Sequence, residues 1–223
     1  MKILLLETAT PICSAAFAED GHIVASYSSD APNAHSTQLP LFVKDLLAVR
    51  PDAVCVSAGP GSYTGLRIGV STAKGICYAL GLPLLSVPTL LGMARLYFSR
   101  HIDYKGLVCP MVDARRMECY TMVASRTEVL RDTQADIVTE HSYDNFLEHS
   151  EVTFIGNGAA KTQPLLGMHS NARYDDSFVV AAEGMLPVAE EKLMKGEVED
   201  VAYFEPFYLK DFVAKKSVVH GLR

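Results

Sequence analysis

Hydrophobic positions along the chain change period several times, and each change predicts an element. Residues 3–6 form a short continuous apolar run ended by Glu7, which reads as a buried first strand. Residues 14–19 predict a second strand, and Asp20-Gly21 a tight turn into a third over residues 22–28. Three strands joined by short connections imply an antiparallel meander. After a polar stretch, Leu39, Val43, Leu46 and Leu47 recur at helical spacing, with Pro40 in the first turns and Arg50-Pro51-Asp52 as a stop. Residues 53–57 form a continuous, mostly apolar run, as suits a central parallel strand. A glycine-rich stretch then leads into a helix over residues 66–80, closed by Gly81 and Pro83. A strand over 84–87 and a helix over 89–100 complete the first half.

The second half restarts with strands over 107–112, 118–124 and 128–130, with Asp113-Ala114-Arg115-Arg116 at the first connection. A strand over 152–155 ends at Gly156-Asn157-Gly158, and the last predicted helix covers 176–195. A meander followed by βα units, stated twice, predicts an α/β fold of two βββαβα-type lobes. That order resembles the actin-like ATPase fold of sugar kinases, Hsp70 and actin. The predicted division is a lobe over 1–103 and a smaller one over 104–223, whose last segment is a candidate to return to the first. Lys210, Lys215, Lys216 and Arg223 against Asp211 read as a flexible basic end.

Composition narrows the function. With 49% hydrophobic and 21% charged residues among 223, disorder is excluded. Twenty basic against 26 acidic residues leave a net charge of −6, the wrong sign for a free-standing reader of nucleic acid. No apolar stretch approaches the roughly 20 residues of a membrane span. The opening run is too short, and Glu7 interrupts it, for a signal peptide. Cys13, Cys55, Cys77, Cys109 and Cys119 are odd in number, scattered and without a CxxC pair, so buried thiols in a reducing cytoplasm are expected.

Ser57-Ala58-Gly59-Pro60-Gly61-Ser62-Tyr63-Thr64-Gly65-Leu66-Arg67 carries the most information. It lies between a strand and a helix, where backbone N–H groups can hold an anion. A Walker loop would need Lys-Ser/Thr where Leu66-Arg67 stand, and the glycines are spaced GxGxxxG rather than GxGxxG. A tight strand-to-helix turn and a phosphate site are both open. Gly65, Gly69, Ala73 and Cys77 lie four apart and share one helical stripe. Either the neighbouring sheet or a second subunit can approach such a stripe closely.

Read with its flanks, this loop resembles the bacterial TsaB family. Ser57 to Gly69, Ala73-Lys74-Gly75, Leu82-Pro83-Leu84 and Ser86-Val87 carry the likeness, with His35-Ser36, Leu39-Pro40, Asp113-Ala114-Arg115-Arg116, Tyr120 and Tyr208-Leu209-Lys210. The resemblance implies the non-catalytic partner of TsaD, the transferase that makes threonylcarbamoyladenosine in tRNA, with a TsaE ATPase in the assembly. It implies helical contact with TsaD through the first lobe, self-pairing through the same surface, tRNA reached through the complex, a cytoplasmic location and no membrane. The expected interface residues are His35, Leu39, Val43, Leu46, Gly65, Gly69, Ala73 and Cys77. ATP and metal are expected on the partners, with no cofactor, metal or catalytic residue in this chain. Where TsaD has two metal-binding histidines four apart, this chain has Thr89 and Met93.

Other constellations compete with that reading. An actin-fold kinase or ATPase opens with an Asp-x-Gly-Thr-like turn, whereas this chain has Glu7-Thr8-Ala9-Thr10-Pro11. Glu7 could orient a metal or water, or simply cap its turn. Glu7, Thr8, Gly59, Gly61, Ser62, Thr64, Arg67, Asp113 and Arg115 are the candidate nucleotide or phosphate contacts. His35-Ser36 is no catalytic dyad, because adjacent helical residues point about 100° apart. A glycoprotease-like peptidase is the remaining alternative, without a recognisable nucleophile motif.

Overall fold

The computed structural model describes residues 1–210; Asp211, Lys215, Lys216 and Arg223 of the predicted basic end lie outside them. Strands β1 (Lys2–Glu7), β2 (Cys13–Glu19), β3 (His22–Ser29), β4 (Ala53–Ser57) and β5 (Leu84–Val87) form one sheet in the order β3-β2-β1-β4-β5. Strands β6 (Leu107–Asp113), β7 (Glu118–Ala124), β8 (Val129–Ile137), β9 (Val152–Ile155) and β10 (Ala172–Asp175) form a second in the order β8-β7-β6-β9-β10. Each sheet has an antiparallel meander on one side of its first strand and parallel strands on the other. This repeated topology is that of the two lobes of an actin-like ATPase.

Strand β1 is buried on both faces because both are roofed. Leu4 and Leu6 join Ala15, Phe17, Val54 and Val56 under helices α1 (Ala34–Thr37), α2 (Leu39–Leu46) and α3 (Tyr63–Leu80). Ile3 and Leu5 point the other way, into Ala53, Cys55, Leu85 and Val87. That second face is closed from the far end of the chain by the 3₁₀ turn Ala182–Met185, through Ala182 and Met185, and by the helix after it, through Leu186 and Ala189. Burying each such aliphatic side chain is worth about 1.5–3 kcal/mol, so the returning segment belongs to the first core.

Helix α4 (Thr89–Arg100) packs Leu90, Met93, Ala94, Tyr97 and Phe98 against Val108, Val112, Met122 and Ile155 of the second sheet. The opposite face of that sheet is closed by α5 (Asp144–Leu147) and α6 (Gln163–Leu166), through Leu147 and Leu166. Helix α7 (Leu186–Lys195) is the returning element.

Three expectations are corrected. Strand β8 runs on to Ile137, beyond the predicted 128–130, because its polar residues sit on an edge strand. Thr121 and Tyr143 donate to Asp136, which also pairs with Arg131, so the inward carboxylate is matched there. Strand β10 gave no apolar signal. The predicted 176–195 helix becomes the 3₁₀ turn followed by α7.

Candidate functional site

In a sheet of this order, the connections leaving the carboxyl ends of the central parallel strands open a crevice. Here both sheets contribute to a cleft of about 870 Å³. The first lobe supplies Ala9–Pro11 and Pro60–Thr64, and the second supplies Val112–Arg116, Glu118, Tyr120 and Asn157. Phe207–Lys210 from the end of the described chain forms the remaining wall.

The glycine loop is built by close backbone approach. Ser62 N–H donates to the Ala9 carbonyl at 2.6 Å, and the Ser62 hydroxyl accepts from Gly65 N–H at 3.2 Å, capping α3. This cap starts the helix at Tyr63, three residues before the predicted start. A Cβ on Gly61 would stand 2.3 Å from the Ala9 carbonyl oxygen, and one on Gly65 2.1 Å from that of Thr8. Gly59, at φ +102, would meet the Phe207 carbonyl at 2.7 Å.

Glu7 does not face the cleft. Its side chain is buried, with Oε1 accepting from Ala9 N–H at 2.6 Å and from the Ser57 hydroxyl at 3.0 Å. Burial outweighs those donors and pushes its carboxyl up to about 7. The carboxylate caps its own turn, as one sequence reading had it. Thr8, also fully buried, lies against Gly69.

The second wall is the turn between β6 and β7. Asp113 N–H donates to Asn157 Oδ1 at 3.1 Å, and Asp113 Oδ1 accepts from Arg115 N–H at 2.9 Å and from Lys161. Lys161 also donates to the Glu118 carbonyl at 2.6 Å. Burial raises the Asp113 pKa, but Lys161 and the Arg115 N–H outweigh it and hold the carboxyl below its ordinary range. Arg115 and Arg116 follow at φ 74 and 52, left-handed positions for consecutive non-glycine residues.

The terminal strap closes over both. Phe207 N–H donates to the Ala58 carbonyl at 2.7 Å, and Lys74 Nζ holds the Ala202 and Phe204 carbonyls at 2.9 and 3.1 Å. The Tyr208 and Tyr63 rings lie 4.9 Å apart, Arg67 sits 4.2 Å over Tyr63, and its Nε donates to the Tyr208 hydroxyl at 3.3 Å. Lys210 pairs with Glu118 of the second lobe.

Of the predicted phosphate contacts, Gly61, Ser62, Thr64, Asp113 and Arg115 line the cleft. Glu7 and Thr8 lie beneath it, Gly59 faces Phe207, and Arg67 backs the tyrosines. Most of the predicted interface residues face the interior of this chain. Gly65 and Gly69 face Thr8, while Leu39, Val43, Leu46, Ala73 and Cys77 belong to the first lobe's own core. They point inward because helical stripes of small or apolar residues are what the sheet needs for close packing. His35 Nε2–H donates to the Thr10 carbonyl at 2.9 Å and so braces the β1–β2 connection.

Tyr63, Asn157 and Lys161 are not among the candidate site residues of the sequence, and Tyr208 enters there only through the family likeness. Only Gly156-Asn157-Gly158 carried a signal, as a strand end. All five cysteines are buried, and burial pushes the thiols of Cys13, Cys77 and Cys119 up to about 11. Thr89 and Met93 are buried inside the fold. Among the described residues, no helix is long and apolar enough to cross a membrane.

Comparisons with known proteins agree with this geometry. The family model described as TsaD, tRNA N6-adenosine threonylcarbamoyltransferase, matches residues 28–218. The tRNA threonylcarbamoyladenosine biosynthesis protein TsaB of Escherichia coli (strain K12) is 32% identical, covering 98% of each chain. The protein of that name from Haemophilus influenzae is 26% identical over 98% of this chain and 97% of its own. Among solved structures, YeaZ from Pseudomonas aeruginosa superposes with a TM-score of 0.80 at 25% identity, covering 93% of this chain and 99% of that one.

Proposed function

The chain belongs to the TsaB family of tRNA threonylcarbamoyladenosine biosynthesis proteins, and from that premise we propose that it is the non-catalytic subunit that supports a TsaD-like transferase. A TsaE-like ATPase completes the assembly, ATP and metal sit on the partners, and the work is done in the cytoplasm. Several features support the non-catalytic reading. Glu7 is spent on its own turn, Thr89 and Met93 occupy the places of TsaD's histidines, and the thiols are held protonated by burial.

The observation that carries the partner role is the outer face of α3. Gly75 sits in mid-helix with nothing within 4 Å of a Cβ built on it, and Tyr78, one turn on, is 86% exposed. A glycine inside a helix costs about 0.5–1 kcal/mol against alanine, and no neighbour within the chain requires it. Leu41, 54% exposed on α2, adds an apolar side chain on the same side of the sheet. The contact face therefore consists of the residues opposite the buried stripe, and it serves a TsaD-like protein or a second copy of this chain. Light scattering on this chain with a TsaD-like protein tests it. Tyr78→Asp is expected to abolish both associations and leave the melting temperature unchanged; undiminished association contradicts the assignment.

A further inference from the structure

Arg115 and Arg116 occupy conformations that a hairpin normally reserves for asparagine or glycine, with φ 74 and 52. Nothing in the packing accounts for arginine there, since both side chains are exposed. The turn is nonetheless tied down at its base. Asn157, Asp113 and Lys161 clamp its base, and the two nearby acids are already matched, Asp113 by Lys161 and Glu118 by Lys210. Among the described residues, no carboxylate pairs with either guanidinium. A chain of net charge −6 thus presents two exposed guanidinium groups, neither in a salt bridge with a carboxylate of the described residues, in the lining of the interlobe cleft. Across that cleft stand Tyr63 and Tyr208, their rings 4.9 Å apart.

Guanidinium forks match phosphate oxygens, and unpaired RNA is held by such cations together with aromatic rings against its bases. We propose that the Arg115-Arg116 turn is a direct RNA contact, taking two backbone phosphates of an unpaired stretch of tRNA whose bases lie against the tyrosine wall. This rests on the proposed function and goes beyond it, because tRNA is there reached only through the partner.

The test is the affinity of the complex of this chain and a TsaD-like protein for an unmodified tRNA transcript, measured across salt concentrations. Asparagine tolerates left-handed backbone, so Arg115→Asn/Arg116→Asn removes both charges and relaxes the turn. Its melting temperature is expected to be equal or higher, while tRNA binding weakens about tenfold at physiological salt. The slope of log affinity against log salt falls by about 1.4, at about 0.7 per phosphate. Arg115→Lys/Arg116→Lys keeps the backbone demand and the charge, and is expected to retain the full slope with intermediate affinity. Unchanged affinity and slope in the asparagine variant overturn the proposal. So does loss of partner binding, which would give the arginines to a protein contact, or loss of ATP binding alone, which would give the cleft to a free nucleotide. Failure of the unaltered chain to assemble with the TsaD-like protein strikes the proposed function itself.

Discussion

A β-carbon on Gly69 would stand 2.2 Å from the hydroxyl oxygen of Thr8. Helix α3 is thereby seated on the β1–β2 connection, and one turn earlier a β-carbon on Gly65 would stand 2.1 Å from the Thr8 carbonyl oxygen. The glycine stripe sets the distance between the first and second loops of the lobe, and with it one wall of the cleft.

The two glycines differ in what they press against, and that gives a prediction. Gly65→Ala strikes backbone and is expected to destabilise by about 3 kcal/mol or more, the upper end of overpacking costs. Gly69→Ala strikes a side-chain atom and is expected to cost about 1–3 kcal/mol. Thr8→Ala removes that atom, so it should recover much of the Gly69→Ala loss and none of the Gly65→Ala loss. Urea unfolding of the single and double variants reads this coupling.

Glu7 makes stability depend on pH. Its carboxyl titrates near 7 in the folded chain against 4.5 when unfolded. Between those values the native state binds more protons than the unfolded state, so stability falls as pH rises through the window. From this group alone the loss is about 3 kcal/mol, at about 1.4 kcal/mol per pKa step. Glu7→Gln keeps an acceptor for Ala9 and Ser57 without the charge. The wild-type protein should therefore lose stability relative to this variant between pH 5 and pH 8, as denaturant titrations at both values would show. A constant difference contradicts the burial argument.

The repeated strand order was legible because central strands read as unbroken apolar runs, and residues 53–57, 84–87 and 152–155 were placed to the residue. Strand β10 was not, because it is a short edge strand whose burial comes from tertiary contact. The glycine stripe showed its spacing but not its direction. Spacing says that something comes close, and only the position of Thr8 says that it is the same chain. The site was legible where loops carry glycine or paired charge. Lys161 reaches it from a segment with no pattern of its own, and Tyr208 from one marked only by the family likeness.

The terminal strap hangs on Lys74, whose ammonium holds two of its carbonyls. Lys74→Met is expected to cost about 1–3 kcal/mol of local stability, the usual worth of hydrogen bonds to a charged donor. Chymotrypsin should then cut at Phe204 and Phe207 faster than in the unaltered protein, while sites in the two sheets remain protected. Equal cleavage rates would show that the strap is held by Tyr208 and Lys210 instead.

On the proposed function, this chain is required for the modification but does no chemistry alone. Reconstitution on unmodified tRNA with a TsaD-like transferase, a TsaE-like ATPase, the enzyme that forms the threonylcarbamoyl-adenylate, ATP and threonine measures it most directly. Threonylcarbamoyladenosine is expected only when this chain is added, and none when this chain replaces the transferase. Full-rate modification in its absence, or modification by this chain without the transferase, would contradict the account.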